Sequence, residues 1–406
     1  MSAPGVGPTA EAAPAGAPGA ASGPRRVCVV VTARPSYSRI KTALQAIKAH
    51  PDLELLLVVA ASALLERYGT AVRYMERDGF EIAARVFNVL EGEDLKAQAK
   101  TTGLGIMELA NVFENLRPDV VVTVADRFET MSTAIAASYM NIPLVHIQGG
   151  EVTGNIDEKV RHAITKLADL HLVASEDARR RVIRLGEWPE VVVNTGCPSI
   201  DLAAEVARSP GLDFDPFERY GGVGPTIDLR EPYVVVMQHP VTTEYADARR
   251  HIELTLAAVN GLGVPALWFW PNVDAGSDGT SNGIRSFRER NPAARIHFFK
   301  NMEGRDFLRV INQAGCLVGN SSVGIRESAF LGIPVVNIGT RQNGRARGAN
   351  VLDVGYEADA IARAVREQMA HGRYAPEDVY GGGAAGEAVA DQLAEMRLAF
   401  AKTIAY

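Results

Sequence analysis

Short apolar runs alternate with amphipathic stretches along the first half of the chain. Each apolar run has the length and Val, Ile and Leu content of a strand, and helical periodicity follows it. This alternation predicts a parallel sheet covered by helices on both faces, because parallel strands are buried on both sides. The predicted strands are Val27–Thr32, Leu53–Ala60, Val120–Val124, Leu144–Ile147, Leu170–Ala174 and Val191–Asn194, with helices such as Tyr37–Ala49, Ala63–Asp78, Ser132–Met140 and Asp157–Leu167.

The alternation restarts after residues 206–231, which are rich in Pro, Gly and Asp as a connection between domains is. We therefore predict an α/β protein with two doubly wound, Rossmann-like domains, residues 25–205 and 232–383, that face a central cleft. In the second domain the predicted strands are Tyr233–Gln238, Ala266–Trp270, Arg295–Phe299, Cys316–Gly319 and Val335–Ile338, with helices near 246–260, 303–313, 323–331 and 357–370.

Both ends of the chain depart from this pattern. Residues 1–24 are almost entirely Ala, Pro and Gly, a composition that predicts a disordered tail. Residues 384–406 contain a long amphipathic stretch, Glu387–Ala401, which predicts a C-terminal helix. Our hypothesis is that this helix packs back on the N-terminal domain.

Composition favours a soluble enzyme over a nucleic-acid-binding or membrane protein. The 406 residues carry a net charge of −6, and no apolar run approaches the ~20 residues that a membrane span requires. The three cysteines, Cys28, Cys197 and Cys316, lie in or beside apolar segments and have neither disulfide-framework nor metal-ligand spacing. We therefore expect a cytoplasmic location, no metal, and no nucleic-acid or membrane partner.

A turn suited to phosphate follows the predicted strand Cys316–Gly319. Gly319, Asn320, Ser321 and Ser322 come next, and a helix is predicted to open at Val323. Small residues allow backbone N–H groups to approach an anion, hydroxyls add donors, and a helix N-terminus contributes roughly half a positive charge. A diphosphate is the ligand that this arrangement favours; the alternative is an ordinary turn in which a serine caps the helix.

Polar side chains also follow several other predicted strands, and parallel strands bring these ends to one edge of a sheet. Each side chain has an ordinary structural explanation as well, such as a helix cap, a surface salt bridge or a buried structural histidine. The candidates are Arg34 and Ser38 after the first strand, Asp126 and Arg127, the cluster Gln148, Glu151, Asp157, Arg161 and His162, then His239 and Asn272.

The residue types at these strand ends limit the chemistry. The first strand lacks the G-x-G-x-x-G pattern of a dinucleotide site, which disfavours a dehydrogenase. No G-x-S-x-G elbow or other nucleophile-and-base set is evident. What remains is carboxylates and a histidine beside phosphate anchors, a combination suited to expelling a nucleotide from a sugar.

The motifs, taken in order, resemble those of the hydrolysing UDP-N-acetylglucosamine 2-epimerases. They are ARPSYSRI, ADRFET, HIQGGEVTGNIDEKVRHAITKLAD, GCPSID, QHPVTT, PNVDAGS, GNSSVGIRE and GTRQNGR, and the match spans about residues 26–383. The resemblance implies a glycosyltransferase-B-like fold, a UDP-sugar held between the domains, and no cofactor. We also expect a homodimer or homotetramer.

The resemblance further implies elimination of UDP from a UDP-N-acetylhexosamine, followed by addition of water to the glycal to give a free 2-epimeric sugar of the N-acetylmannosamine type. Asp126 and Asp157 are then the leading acid/base candidates, with Glu151 and His239 as further ones. The implied UDP-sugar contacts are Arg34, Ser38, Arg127, Ser321 and Ser322 at the diphosphate, Glu327 at the ribose, Phe307 at the uracil, and also His162 and Asn272.

Two positions depart from the family pattern. Gln148 stands where the motif usually has Glu, and Ser36 stands where an Asp is common. An amide forms hydrogen bonds but takes up no proton at neutral pH. Three hypotheses follow: a hydrolysing epimerase, a hydrolase of another nucleotide-linked substrate in which Gln148 orients water or ligand, and a UDP-sugar-binding protein without catalysis.

Overall fold

A computed structural model describes residues 23–66, 70–90, 95–125, 127–152, 156–271, 276–398 and 402–405. Within these ranges the chain forms a seven-stranded and a six-stranded sheet, and all the strand pairs inside them are parallel. The predicted α/β class with two doubly wound sheets is confirmed.

The N-terminal sheet is built from apolar runs that are buried on both faces, as in Val27–Val31. Its strands are β1 (Arg25–Val31), β2 (Leu53–Ala60), β3 (Ile82–Val86), β4 (Val120–Val124), β5 (Leu144–Ile147), β6 (Leu170–Val173) and β7 (Val192–Asn194). They lie in the order β3-β2-β1-β4-β5-β6-β7. Its helices are α1 (Arg34–Ala49), α2 (Ala71–Arg77), α3 (Leu95–Leu116), α4 (Phe128–Tyr139), α5 (Ile156–Leu167), α6 (Glu176–Arg184) and α7 (Pro198–Arg208).

The C-terminal sheet repeats this arrangement. After α8 (Pro216–Tyr220) its strands are β8 (Val234–Met237), β9 (Ala266–Phe269), β10 (Ile296–Phe299), β11 (Cys316–Gly319), β12 (Val335–Ile338) and β13 (Val351–Val354), in the order β10-β9-β8-β11-β12-β13. Its helices are α9 (Ala248–Gly261), α10 (Ser277–Arg290), α11 (Gly304–Gln313), α12 (Glu327–Leu331) and α13 (Ala358–His371).

The last helix, α14 (Ala385–Glu395), returns to the N-terminal sheet. Val389 and Leu393 of this helix are buried in the same apolar core as Leu44 of α1. The carboxylate of Asp201 accepts hydrogen bonds from the backbone N–H groups of Ala385 and Gly386, at 2.8 and 2.7 Å. The C-terminal segment is therefore part of the N-terminal core, although it follows the second sheet along the chain.

Strand order reverses between β1 and β4 in one sheet and between β8 and β11 in the other. In open parallel sheets, ligands bind beyond the strand carboxyl ends at this reversal. The segments that follow these four strands begin at Thr32, Ala125, Gln238 and Asn320. These four segments contain the phosphate-binding candidates predicted from the sequence.

Several local predictions differ from the structure. The predicted C-terminal helix Glu387–Ala401 ends at Glu395, because the backbone of Met396 (ψ 143°) leaves helical geometry. The predicted helix Ala63–Asp78 is a 3-10 turn, Ala61–Leu64, followed by α2. The predicted helix 323–331 is a 3-10 turn, Ser322–Gly324, followed by the short α12, because the backbone of Arg326 (ψ −77°) leaves regular helical geometry. The predicted connection 206–231 includes the end of α7 and all of α8.

No helix in the described ranges is long and apolar enough to cross a membrane. The same ranges contain no group of three or more His, Cys, Asp or Glu side chains placed to hold a metal ion. Of the predicted disordered tail, residues 1–22 lie outside the described residues.

Candidate active site

Two arginines follow the strands at the reversal point of the N-terminal sheet. The guanidinium carbon of Arg34 lies 5.2 Å from the ring centre of Tyr74, and the hydroxyl of the exposed Ser38 donates to the Arg34 carbonyl at 3.4 Å. Arg127 donates from Nε and Nη2 to the two carboxylate oxygens of the buried Glu129, at 3.2 and 3.3 Å. Glu129 thereby fixes the orientation of the Arg127 guanidinium, while Arg34 remains partly exposed to bind an anion.

A buried histidine fixes the turn that ends β4. Ala125 has a left-handed backbone (φ 65°), and His146 Nε2 lies 2.9 Å from its carbonyl oxygen. Burial lowers the pKa of His146 to about 3, so the ring is neutral near pH 7. Because a carbonyl only accepts, Nε2 donates to Ala125, and Nδ1 accepts from the Thr165 hydroxyl at 3.2 Å.

Gln148 also has a left-handed backbone, with φ 66° at the end of β5. Its side chain is buried, and Nε2 donates to the sulfur of Cys197 at 3.2 Å. Cys197 in turn lies 3.1 Å from the hydroxyl of Ser199. The Gln148 Oε1 atom is buried and has no hydrogen-bond partner among the described residues, which leaves an acceptor for a ligand hydroxyl, amide or water.

Glu151 is buried among arginines from both domains. Its Oε2 atom accepts from Arg326 Nη2 at 2.6 Å and lies 3.6 Å from Arg345 Nη1, while its carbonyl accepts from Arg161 at 2.6 Å. Burial alone would raise the pKa of Glu151, but the charges of Arg326, Arg345 and Arg39 lower it. The group is therefore a carboxylate near neutral pH, which favours an anchoring role over proton donation.

His239 follows β8 at the reversal point of the C-terminal sheet. One side chain, Asn320, holds its backbone: Oδ1 accepts from the His239 N–H at 2.7 Å and Nδ2 donates to the His239 carbonyl at 2.9 Å. Gly319, which ends β11 at φ 132°, has no room for a side chain, because a Cβ would lie 2.2 Å from the Met237 carbonyl oxygen. Burial, with a smaller effect of Arg341, lowers the pKa of His239 to about 3.

The serines of the predicted phosphate turn are partly exposed. Ser321 precedes the 3-10 turn Ser322–Gly324, in which the Ser321 carbonyl accepts from the Gly324 N–H at 3.1 Å. Glu327 begins α12, and its Oε2 atom is buried without a hydrogen-bond partner in the described ranges. Because α12 is short, an anion here would depend on backbone N–H groups and hydroxyls more than on a helix dipole.

Two further candidates, Phe307 and His162, lie on helices. Phe307 of α11 is partly buried, with its ring edge-on to Phe269 at 4.9 Å between centres. His162 of α5 lies 3.4 Å from the carboxylate of Glu158 one turn earlier. Asp126 and Asn272 lie outside the described residues, as does the side chain of Asp157, whose backbone is in the first turn of α5.

The strand ends of the two sheets meet in one cleft. Glu151 follows β5 and Arg326 follows β11, so their 2.6 Å contact joins the carboxyl edges of both sheets. Two further contacts cross at the same place: Arg345 Nε donates to the Val152 carbonyl at 3.3 Å, and Arg181 donates to the Gly344 carbonyl at 3.4 Å.

Comparison with known proteins identifies the family of this chain. The family model described as UDP-N-acetylglucosamine 2-epimerase matches residues 45–394. The chain belongs to this family. The family inferred from the motifs is thus confirmed, as is its glycosyltransferase-B-like fold.

Several relatives align with nearly the whole chain. The UDP-N,N'-diacetylbacillosamine 2-epimerase (hydrolyzing) of Legionella pneumophila is 32% identical, across 89% of this chain and 94% of that protein. The UDP-N-acetylglucosamine 2-epimerase of Neisseria meningitidis is 29% identical, across 88% and 91%. The crystal structure of the Methanocaldococcus jannaschii UDP-GlcNAc 2-epimerase with UDP-GlcNAc and UDP has the same fold, with a TM-score of 0.73 at 14% identity over 91% and 99% of the two chains.

In this member of the epimerase family, several site residues carry no conspicuous sequence signal. Arg326 and Arg345 stand inside two of the quoted motifs, but their partner in the other domain becomes visible only in the fold. Cys197 resembles a core cysteine in sequence, although it accepts from Gln148. Asn320 lies within the phosphate turn, but its side chain forms hydrogen bonds with the backbone of His239, which follows a neighbouring strand.

Proposed function

We propose that this protein is a hydrolysing epimerase that eliminates UDP from a UDP-N-acetylhexosamine and hydrates the resulting glycal to a free 2-epimeric sugar. The observation that carries the proposal is the cross-domain contact of Glu151 with Arg326, because it joins the carboxyl edges of the two sheets, where the anion-binding candidates follow their strands. A diphosphate bound there would meet Arg34 and Arg127 from one domain and Ser321 and Ser322 from the other.

The first step breaks the bond between C1 and the diphosphate oxygen, and the C2 proton leaves to a base as the C1–C2 double bond forms. Because an unactivated C2–H is a weak acid, departure of UDP must run ahead of proton removal, and negative charge grows on the diphosphate. Cationic and hydroxyl donors aimed at that charge stabilise the transition state more than the bound substrate. The phosphate contacts are therefore proposed to accelerate the reaction as well as to bind.

The second step adds water across the double bond, with hydroxyl at C1 and a proton at C2 on the face opposite to the one that lost it. Asp126 and Asp157 remain our leading acid/base candidates. Glu151 is less suited, because two arginines hold it as a carboxylate. His239 is neutral at pH 7 and can donate a hydrogen bond to the diphosphate without carrying charge.

Turnover of UDP-GlcNAc in deuterated water, followed by NMR, tests this proposal. We expect UDP and N-acetylmannosamine with deuterium at C2, because the reaction removes the original proton and takes another from solvent. Retention of the original hydrogen at C2 would rule out elimination. UDP-N,N'-diacetylbacillosamine belongs in the same assay, since a relative is named for it; the faster of the two identifies the preferred substrate.

Gln148 supports a second candidate function, hydrolysis of a nucleotide-linked substrate without chemistry at C2. Its amide donates to Cys197 and presents a buried acceptor, so it can orient water or ligand but cannot move a proton. Release of UDP with the C2 configuration and hydrogen retained would favour this function.

The Gln148→Glu substitution separates the two candidates. If the amide limits epimerisation, a carboxylate at this position raises the rate of C2 deuterium exchange by ~10²-fold or more. Gln148→Met is the matched control, because it has similar length without a proton-accepting group. If the native protein already exchanges the C2 hydrogen and Gln148→Glu leaves that rate unchanged, another group performs the proton transfer; no exchange in either protein favours the second candidate.

A further inference from the structure

Arg326 stands between the nucleotide-binding candidates of the C-terminal domain. It follows the 3-10 turn Ser322–Gly324 and immediately precedes Glu327, and its backbone N–H donates to the Ser322 carbonyl at 3.0 Å. A ligand that changes the geometry of this turn therefore changes the position of the Arg326 backbone.

The side chain of Arg326 points into the other domain. Its Nη2 atom donates to Glu151 at 2.6 Å, and its Nη1 atom lies 3.9 Å from the sulfur of Cys197, which accepts from the Gln148 amide. The side chains of Arg326 and Glu151 are 2% and 6% exposed, so solvent screens their interaction little. One guanidinium thus contacts both the Glu151 loop and the partner of Gln148.

Glu151 and Gln148 each keep a buried oxygen for which the described residues supply no hydrogen-bond donor, Oε1 in both cases. Buried acceptors of this kind are normally satisfied by ordered water or a ligand. The network that Arg326 holds therefore ends in two acceptors available to a hydroxyl or amide of the bound sugar.

We propose that Arg326 is a positioning residue that couples nucleotide binding in the C-terminal domain to the placement of Gln148 and Glu151 in the N-terminal domain. The inference rests on the proposed function, because it takes Ser321, Ser322 and Glu327 as the UDP contacts. In this arrangement the Arg326–Glu151 ion pair keeps the cleft closed and presents the two free acceptors to the sugar. Glu151 acts as the anchor of Arg326 and transfers no proton.

A double-mutant cycle tests whether Arg326 and Glu151 act as one unit. We expect Arg326→Met and Glu151→Gln each to lower kcat at least about tenfold, and the double variant to be no slower than the slower single variant. Multiplication of the two losses in the double variant would show independent roles and overturn the proposal. Arg326→Lys, which retains the charge but not the forked donor, replaces Arg326→Met in the cycle if the latter does not fold.

Amide hydrogen exchange with saturating UDP distinguishes a positioning role of Arg326 from a general loss of stability, because it reports protection of each side of the cleft separately. In the native chain, UDP is expected to slow amide exchange both at 319–324 and, across the cleft, at 147–152. In Arg326→Met, protection at 319–324 persists and protection at 147–152 is lost. Protection of 147–152 in this variant equal to the native value would refute the coupling.

Arg309→Met is the matched control, because Arg309 is also a buried arginine with a 2.6 Å ion pair, whose partner is Asp213 in the segment before α8. We expect it to keep native kcat and both regions of protection. The two proposals also fail in different ways. Native protein that shows UDP protection in both regions but turns over no UDP-hexosamine refutes the proposed function alone, whereas turnover with protection confined to 319–324 refutes the coupling alone.

Discussion

Asn320 is the residue on which the order of the candidate phosphate site depends most directly. Its buried amide uses an acceptor and a donor on the two backbone groups of His239, as a neighbouring strand would. In Asn320→Asp the donor is replaced by an oxygen that faces the His239 carbonyl.

We expect Asn320→Asp to lower the free energy of unfolding by about 1–3 kcal/mol and to weaken UDP binding, because a negatively charged oxygen replaces the amide donor beside the buried His239 carbonyl. Urea denaturation and calorimetric titration with UDP measure the two effects. Asn337→Asp is the control, since Asn337 donates to Asp353 at the far edge of the same sheet. A control that weakens UDP binding equally would contradict the local explanation.

Sequence could predict which residues lie at the strand ends but not which of them touch. Gln148, Glu151, His239 and the serines follow apolar runs, so their location near the cleft is readable from the order of residue types. The pairing of Glu151 with Arg326 joins positions 175 residues apart in the chain. No local pattern encodes such a contact, because it depends on how the two sheets face each other.

At the scale of elements, the strands with continuous apolar runs were predicted, including the edge strands β7 and β10, whereas the edge strands β3 and β13 were not. β3 and β13, with the sequences IAARV and VLDV, are short, are interrupted by a charged residue and are mostly only partly buried. Strands that are buried on both faces have an unmistakable composition, whereas β3 and β13 are largely half-exposed and lack it. The helix at the phosphate turn was predicted too long, since its sequence gives no sign that the chain tightens into a 3-10 turn.

The contact between β5 and the end of β4 provides a prediction at this scale. His146 donates to Ala125, which has φ 65° and directly precedes the candidate acid Asp126. His146→Leu removes the donor and is expected to lower kcat about tenfold or more, because small displacements of catalytic groups are costly. UDP affinity should fall less than kcat, since Arg127 shares the displaced turn but the proposed contacts in the C-terminal domain are intact.

His146→Gln is the conservative variant, because its amide N–H can reach the same carbonyl. Recovery of most of the activity in His146→Gln would support the hydrogen bond as the cause. Equal losses in both variants would instead indicate a general packing defect.

For the whole molecule, buried neutral histidines make stability depend on pH. Burial lowers the pKa of His146 and of His239 to about 3 and also lowers that of His171, against roughly 6.5 in an unfolded chain. Below pH 6.5 the unfolded state binds protons that the folded state does not, so stability is full above that pH and falls as pH decreases toward 3.

Each such histidine contributes a slope of up to about 1.4 kcal/mol per pH unit. We expect urea-unfolding free energies to fall between pH 6.5 and 5, and His146→Gln to show a shallower slope by up to that amount. Glu187 does not interfere in this window: hydrogen bonds from His171, Lys166 and Lys402 outweigh its burial and lower its pKa to about 2, so its contribution is lost only below about pH 4.5. Parallel slopes for the two proteins would contradict the assignment of His146.

The end of the chain stabilises the molecule from the side opposite the cleft. Lys402 lies 2.6 Å from the buried Glu187, which precedes β7 and so lies at the amino ends of the strands, while the cleft is at their carboxyl ends. Lys402→Met should therefore lower the free energy of unfolding by about 1–3 kcal/mol, because the Glu187 carboxylate loses one of its two lysine partners, and should leave kcat unchanged. Lys48→Met, which removes an exposed hydrogen bond to the Gly79 carbonyl and a contact of the Lys48 ammonium with the Phe80 ring, is the control and should have a much smaller effect. A fall in kcat at full folding in Lys402→Met would mean that the two ends of the N-terminal sheet are energetically linked, and that the cleft depends on more of the molecule than its own residues.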